Sequence, residues 1–241
     1  MTFKTTSILL LATVTLLLSC NKQEGKEKAD TSVDIDTTAL SMEGEADNFD
    51  IQGFQNLVET YEDPERSEWQ NPQLVVEKLN DLRGKVVADI GAGTGYFTFR
   101  MAEKGARVIA IDIDERFLNY IEERRTELLH IIPENAVETR LSLEDDPLLN
   151  KNEVDAALLV NTYHFLDNRV NYLDKVKKGL KPGGQLVIVD YKAGAMPVGP
   201  PEEVKISPDE ATNELLRAGF ENIEVDESGL QFQYIISGTK K

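Results

Sequence analysis

Three glycines in five residues, Gly91-Ala92-Gly93-Thr94-Gly95, follow an apolar run that closes on Asp89 and Ile90. Glycines there let backbone approach a bound ligand closely. A dinucleotide loop of the form G-x-G-x-x-G, counted from Gly91, wants a sixth-position glycine where this chain has Tyr96. Asp89 would repel a pyrophosphate docked at the loop and suits a cation such as an ammonium group. Asp112 closes a second apolar run, a place where an acid accepts hydrogen bonds from a ribose diol. The chain has two histidines. His164, in Asn161-Thr162-Tyr163-His164, is the candidate for proton removal, because an imidazole with an ordinary pKa of about 6.5 suits base work near neutrality. Packing against a cofactor, or capping a helix, is its equal alternative. Tyr163 either lines an acceptor pocket, covers a cationic sulfur through its ring face, or is plain wall. His130 ends an amphipathic segment and reads as structural or solvent-facing.

The elements that must position these residues alternate. Phe54, Leu57, Val58 and Tyr61 fall at helical spacing, and Asn71-Pro72 opens a second helix. Residues 85–90, 107–113, 136–141, 154–161 and 185–191 read as five strands. Helices over 96–104, 115–130 and 169–180 separate most of them, and the turn Lys181-Pro182-Gly183-Gly184 precedes the fifth strand. Ser207-Pro208-Asp209-Glu210 starts a last helix, with Ser as cap, Pro at the first position and Glu three after the cap. Residues 221–226 and 231–237 are the final strands. Such alternation predicts an α/β fold, a doubly wound parallel sheet with helices on both faces. Ligands in such sheets sit beyond the carboxyl ends of the strands.

An acid for an ammonium, an acid for a ribose and glycines between them describe S-adenosylmethionine (SAM). The constellation resembles class I SAM-dependent methyltransferases. VADIGAGTGYF, Val87 to Phe97, looks like their first motif, AIDID, Ala110 to Asp114, like their second, and Leu180-Lys181-Pro182-Gly183-Gly184 like the turn before their fifth strand. The resemblance covers Trp69 to the C-terminus. It implies a Rossmann-like, seven-stranded, mostly parallel sheet of order 3-2-1-4-5-7-6 with strand 7 antiparallel. It also implies cofactor contacts from Asp89, Gly91, Ala92, Gly93, Thr94, Gly95, Tyr96, Asp112 and Ile113. Adenine contacts would come from the segment at Ser142, Leu143, Glu144 and Asp145, and the loop from Asn161 to His164 would border the methyl group. The loop after the fifth strand, rich in Gly and Pro, reads as a shaped segment near the acceptor, starting at Tyr191. Lys192 within it either pairs an anionic substrate group or is solvated. Trp69 either closes the site or packs in the core.

Composition bounds the remaining classes. The chain has 241 residues, 41% of them apolar, and a formal net charge of −17, which argues against a nucleic-acid partner. The sequence after the fourth strand also lacks the prolines of the Asn/Asp-Pro-Pro-aromatic motif of amino-base methyltransferases. A single Cys rules out an internal disulfide or a Cys-rich zinc site, and no metal is expected. That Cys is Cys20. Lys4, the apolar stretch Ile8 to Leu18 and Leu17-Leu18-Ser19-Cys20 resemble a bacterial lipoprotein leader, which is too short to span a bilayer at roughly 20 apolar residues. The resemblance implies a signal peptide over 1–19, lipid on Cys20, a flexible acidic tether over 20–48, and a methyltransferase domain over 49–241 with a helical lead-in over 49–83. The implied place is the cell envelope, lipid-anchored on its periplasmic or outer-membrane side, or the cytoplasm if this stretch is not a leader. The expected partners are a membrane, through the anchor, and a small-molecule or lipid-like methyl acceptor. A non-catalytic binding protein that keeps the fold and the nucleoside pocket is the alternative.

Overall fold

The structure, a computed structural model, describes residues 52–241. The leader, Cys20, the acidic stretch after it, Phe49 and Ile51 lie outside the described residues. Seven strands make one sheet: β1 Val86–Ile90, β2 Arg107–Asp112, β3 Val137–Leu141, β4 Val154–Val160, β5 Leu180–Tyr191, β6 Glu221–Asp226 and β7 Gln233–Thr239. Their order is β3-β2-β1-β4-β5-β7-β6. The first five run parallel, and β7 is antiparallel to both its neighbours. This is the expected topology.

The helices are α1 over 52–61, α2 Arg66–Gln70, α3 Pro72–Glu77, α4 Tyr96–Glu103, α5 Glu115–Glu127, α6 Arg169–Gly179 and α7 Pro208–Arg217. The central strands are apolar on both faces because helices cover both. Val87, Val108, Leu158 and Val187 face a core shared with Val75, Phe97 and Met101 of α3 and α4. Their strand neighbours Ala88, Ile109, Leu159 and Ile188 face the opposite core, with Leu173 and Val176 of α6 and Ala211 and Leu215 of α7. Period-two alternation therefore divides each strand between two hydrophobic layers and leaves the strand ends to carry polar chemistry.

Local signals account for the edges of several elements. Asn71 accepts a hydrogen bond from the Leu74 N–H and caps α3, with Pro72 at its first position. Ser207 accepts from the Glu210 N–H at 3.2 Å and caps α7. Two details differ from expectation. The Lys181–Gly184 turn is absorbed into β5, because a register shift opposite Val154 and Ala156 takes up the extra residues. The Gly183 N–H then donates to Lys240 O at 2.8 Å, and Lys240 N–H to Gly184 O at 2.9 Å. The other difference is α2, a five-residue helix with no capping side chain. Propensity does not sustain so short a helix, and tertiary contacts hold it.

Tyr163 is the main correction among the site residues. The chain leaves β4 through Asn161, whose φ of 58° is left-handed, and enters a short 3-10 turn at Tyr163–Phe165. Tyr163 is thereby buried completely among the α6 and α7 layer. Its hydroxyl donates to Glu214 Oε2 at 2.5 Å, and Arg169 Nε donates to the same oxygen at 2.8 Å. It fastens the exit of β4 to α7, and it neither lines an acceptor pocket nor covers a sulfonium. Tyr163→Phe is expected to lower stability by about 1–2 kcal/mol in urea unfolding while leaving cofactor affinity unchanged.

Candidate functional site

The glycine loop is fixed from three sides. The Gly91 and Ala92 N–H groups donate to Ile111 O at 2.8 and 3.0 Å. Gly91 has φ 73°, and a Cβ there would stand 2.2 Å from Thr162 Oγ1. Only glycine lets this loop pass so close to the one after β4. The Gly93 N–H donates to Asp112 Oδ2 at 2.8 Å, and the Asp114 N–H to Asp112 Oδ1 at 3.0 Å. Burial raises the Asp112 pKa, and these backbone donors oppose the rise. Asp112 thus braces the loop and keeps a free lone pair on each oxygen for a diol. Gly95 caps α4, and the Thr94 and Tyr96 hydroxyls beside it are buried with no hydrogen-bond partner. Buried polar groups of that kind call for a ligand or another explanation.

Asp89, at the end of β1, accepts from the Thr98 hydroxyl at 2.6 Å. Burial pushes its pKa up to about 6, with the nearby Asp112 charge adding to the rise and Thr98 and Arg66 opposing it. A bound cation is what such a carboxylate lacks. Ile113 and Leu143, just beyond β2 and β3, stay 59% and 56% exposed. Two apolar side chains left open beside the ribose acid suit the flat face of a purine. Glu144 is exposed next to Leu143, whose N–H donates to Asp146 O at 3.0 Å. The residues present fit SAM: a glycine cradle, an acid for each polar end of the nucleoside amino acid, and an apolar edge.

Beyond β4 and β5 a second group assembles. His164 Nδ1 lies 2.8 Å from Asp190 Oδ1, and the His164 backbone N–H donates to Asp190 Oδ2 at 3.0 Å. Asp190 is fully buried and also accepts from the Tyr191 N–H at 2.7 Å. A carboxylate so placed assigns the proton to Nδ1 and leaves the lone pair on Nε2. The imidazole ring is 4.1 Å from Phe165 and meets Tyr191 edge-on at 6.0 Å. Sequence reasoning named His164 and missed Asp190. The signal was there, since Asp190 closes an apolar strand as Asp89 and Asp112 close theirs.

The lead-in covers both groups. Tyr61 stacks on Phe117 at 5.5 Å and lies against Gly93, where a Cβ would meet its ring at 3.3 Å. Trp69 is partly buried, 6.4 Å from both Tyr191 and Phe232, so it packs and covers at once. Gln70, fully buried, donates to Gln233 Oε1 at 2.9 Å and to Asn161 Oδ1 at 3.3 Å, and Gln233 donates to the same Asn161 oxygen. Asn161 therefore spends its carbonyl on locking α2 down. Lys192 is half-buried, and backbone carbonyls hold its ammonium, which donates to Leu230 O at 2.7 Å and Gln231 O at 3.3 Å. Tyr61, Arg66, Gln70 and Gln233 escaped sequence reasoning because long-range packing alone brings them here. Among the described residues, no group of three or more His, Cys, Asp or Glu is arranged to hold a metal ion.

The raised Asp89 pKa fixes a sign. Below about pH 6 the native carboxyl holds its proton and loses the charge that would attract an ammonium. Calorimetric titration with SAM should show affinity falling about tenfold between pH 7.5 and 5, and Asp89→Asn should flatten that profile. Stability from this group runs the other way. The native state binds its proton more tightly than the unfolded chain, so ionising Asp89 costs stability as pH rises through about 6.

Comparison with known proteins gives the same assignment. Residues 88–186 match the family described as a methyltransferase domain. The chain is 30% identical over 172 residues to a tRNA U34 carboxymethyltransferase of Sulfurovum sp., covering 66% of this chain and 56% of that one. It is 34% identical over 161 residues to a demethylmenaquinone methyltransferase of Tropheryma whipplei, covering 62% of this chain and 64% of that one. The chain thus spans less than two thirds of either relative. A solved SAM-dependent methyltransferase from Aquifex aeolicus superposes with a TM-score of 0.69 at 28% identity, over 76% of this chain and 97% of that one. Strand order, glycine loop and these likenesses converge: the described residues adopt the SAM-dependent methyltransferase fold, residues 88–186 match a methyltransferase domain, and S-adenosylmethionine is the cofactor.

Proposed function

We propose that the protein transfers the methyl group of SAM to a small-molecule or lipid-like acceptor. The observation that carries this reading is the His164–Asp190 pair, 2.8 Å apart at the end of β5, on the far side of the glycine loop's neighbour β4. SAM supplies a methyl group on a sulfonium, displaced in line by the acceptor. His164 takes the acceptor's proton on Nε2, and Asp190 balances the imidazolium that results. Trp69 and Gln70 of α2 keep water from the strand ends and hold the partners in line. Trp69, Tyr191 and Phe232, with Phe165 left 72% exposed, suit an apolar acceptor body. The likeness to a demethylmenaquinone methyltransferase supports a lipid-like acceptor, and the charge of −17 weighs against nucleic acid.

The leader supports a lipid anchor on Cys20 and a place in the cell envelope. SAM is made in the cytosol, so an exported domain that binds the nucleoside without turning it over is the competing reading. Titration of the purified protein with SAM, followed by transfer of labelled methyl into metabolite and lipid extracts, separates the two. Binding with transfer is expected. Binding without transfer to any component favours the binding protein, and no binding at millimolar SAM overturns both. Labelling cells with a radioactive fatty acid, with Cys20→Ser as control, tests the anchor. His164→Ala and Asp190→Asn are expected to cut turnover about a hundredfold or more with SAM affinity retained. Unchanged turnover would leave His164 a packing residue.

A further inference from the structure

Arg66 is a buried cation without a counter-ion. It is 9% exposed, and among the described residues no carboxylate lies within ion-pairing distance of it. Its Nε donates to Gln70 Oε1 at 2.6 Å and its Nη1 to Tyr61 O at 2.7 Å, both neutral acceptors. The guanidinium carbon stands 4.2 Å over the Tyr96 ring. Burial lowers its pKa, and Tyr96, Tyr191 and Glu62 oppose the fall. Glu62 Oε2 lies 2.9 Å from Arg124 Nη1, its Oε1 is buried without a hydrogen-bond partner, and neither oxygen is within ion-pairing distance of Arg66. Asp89, also within its field, accepts from Thr98. A buried charge left without an opposite charge is costly, and a guanidinium is the side chain best shaped to take a carboxylate in a fork.

The position of Arg66 says which ligand it would serve. Arg66 and Gln70 are four residues apart on α2 and hydrogen-bonded to each other. Gln70 reaches Asn161 and Gln233, and Trp69 reaches Tyr191 and Phe232. Trp69 and Gln70 thus address the ends of β4, β5 and β7, the acceptor side, and Arg66, one turn before Gln70, lies over Tyr96 and Phe97 at the start of α4 and within the field of Tyr191, away from the purine edge at Ile113 and Leu143. Lys192, which the sequence suggested for an anionic substrate, is held by backbone carbonyls. We infer that the methyl acceptor carries a carboxylate, received by Arg66 while its apolar body lies against Trp69 and Tyr191. This rests on the methyl-transfer reading above, since it takes the strand ends beside Asn161 as the acceptor site.

The alternative source of a carboxylate is SAM itself, and the experiment separates the two. The protein saturated with S-adenosylhomocysteine, which fills the cofactor's own carboxylate position, is titrated calorimetrically with benzoate and with its uncharged isostere benzamide. Benzoate is expected to bind about tenfold or more tightly than benzamide. Arg66→Gln should erase that preference, and Arg66→Lys, which keeps the charge, should retain part of it. Affinity for S-adenosylhomocysteine should stay within about threefold in both variants. Equal or absent binding of the two probes overturns the inference, as does a preference that survives Arg66→Gln. If Arg66→Gln instead weakens S-adenosylhomocysteine and spares benzoate, the carboxylate belongs to the cofactor and the inference is wrong. Repeating the benzoate titration without nucleoside keeps the two readings apart. A protein that fails to bind S-adenosylhomocysteine but keeps an Arg66-dependent preference for benzoate contradicts methyl transfer and leaves the anion site standing.

Discussion

The carboxylate of Asp112 accepts one hydrogen bond from Gly93 and one from Asp114, and the rest of the ligand end is organised around that pair of contacts. A loop with three glycines has little rigidity of its own, because glycine gives up the most conformational freedom on ordering. Asp112 supplies the missing constraint by tying the exit of β1 to the exit of β2. With Gly93 held, Gly91 passes under Thr162, Gly95 starts α4, and Asp89 stays buried against Thr98. The side chain suited to a ribose is therefore the one that shapes the loop meant to hold the other end of the same molecule. Charge-assisted bonds to backbone N–H groups are stronger than neutral ones, which makes an acid a better brace here than an amide.

Three acids close three parallel strands, and their surroundings divide the labour. Asp89 faces a single hydroxyl and burial dominates it, so it waits for a cation. Asp112 faces backbone amides and serves geometry as much as charge. Asp190 faces an imidazole and two backbone N–H groups, which fixes the tautomer of His164. One residue type at one topological position thus performs three tasks, chosen by what each strand end meets in space.

Much of this was legible in the sequence, because the signals were local. Apolar runs gave the strands, Gly91 and Gly93 the loop, and Ser207 with Pro208 the start of α7. What escaped was decided at long range. Tyr163 and His164 are neighbours, yet one turns into the α7 layer and the other toward β5, a choice set by the left-handed Asn161 and by Glu214 and Asp190 far along the chain. Lys192 meets carbonyls 38 and 39 residues away. The five residues of α2 have no cap or periodicity to announce them, although they carry Arg66, Trp69 and Gln70.

The amide cluster of Gln70, Asn161 and Gln233 joins places 91 and 163 residues apart. Chains are made from the N-terminus, so Gln70 exists long before the strand that must lock it. Contacts across such separations form only after the intervening chain has ordered. β1 to β3, which define the cofactor end, all precede β7 in the chain, so the bond from α2 to Gln233 forms only once the last strand exists. The cover is thus completed by the last strand made: without β7, α2 would keep its contacts to Asn161 and Tyr191 and lose the one to Gln233.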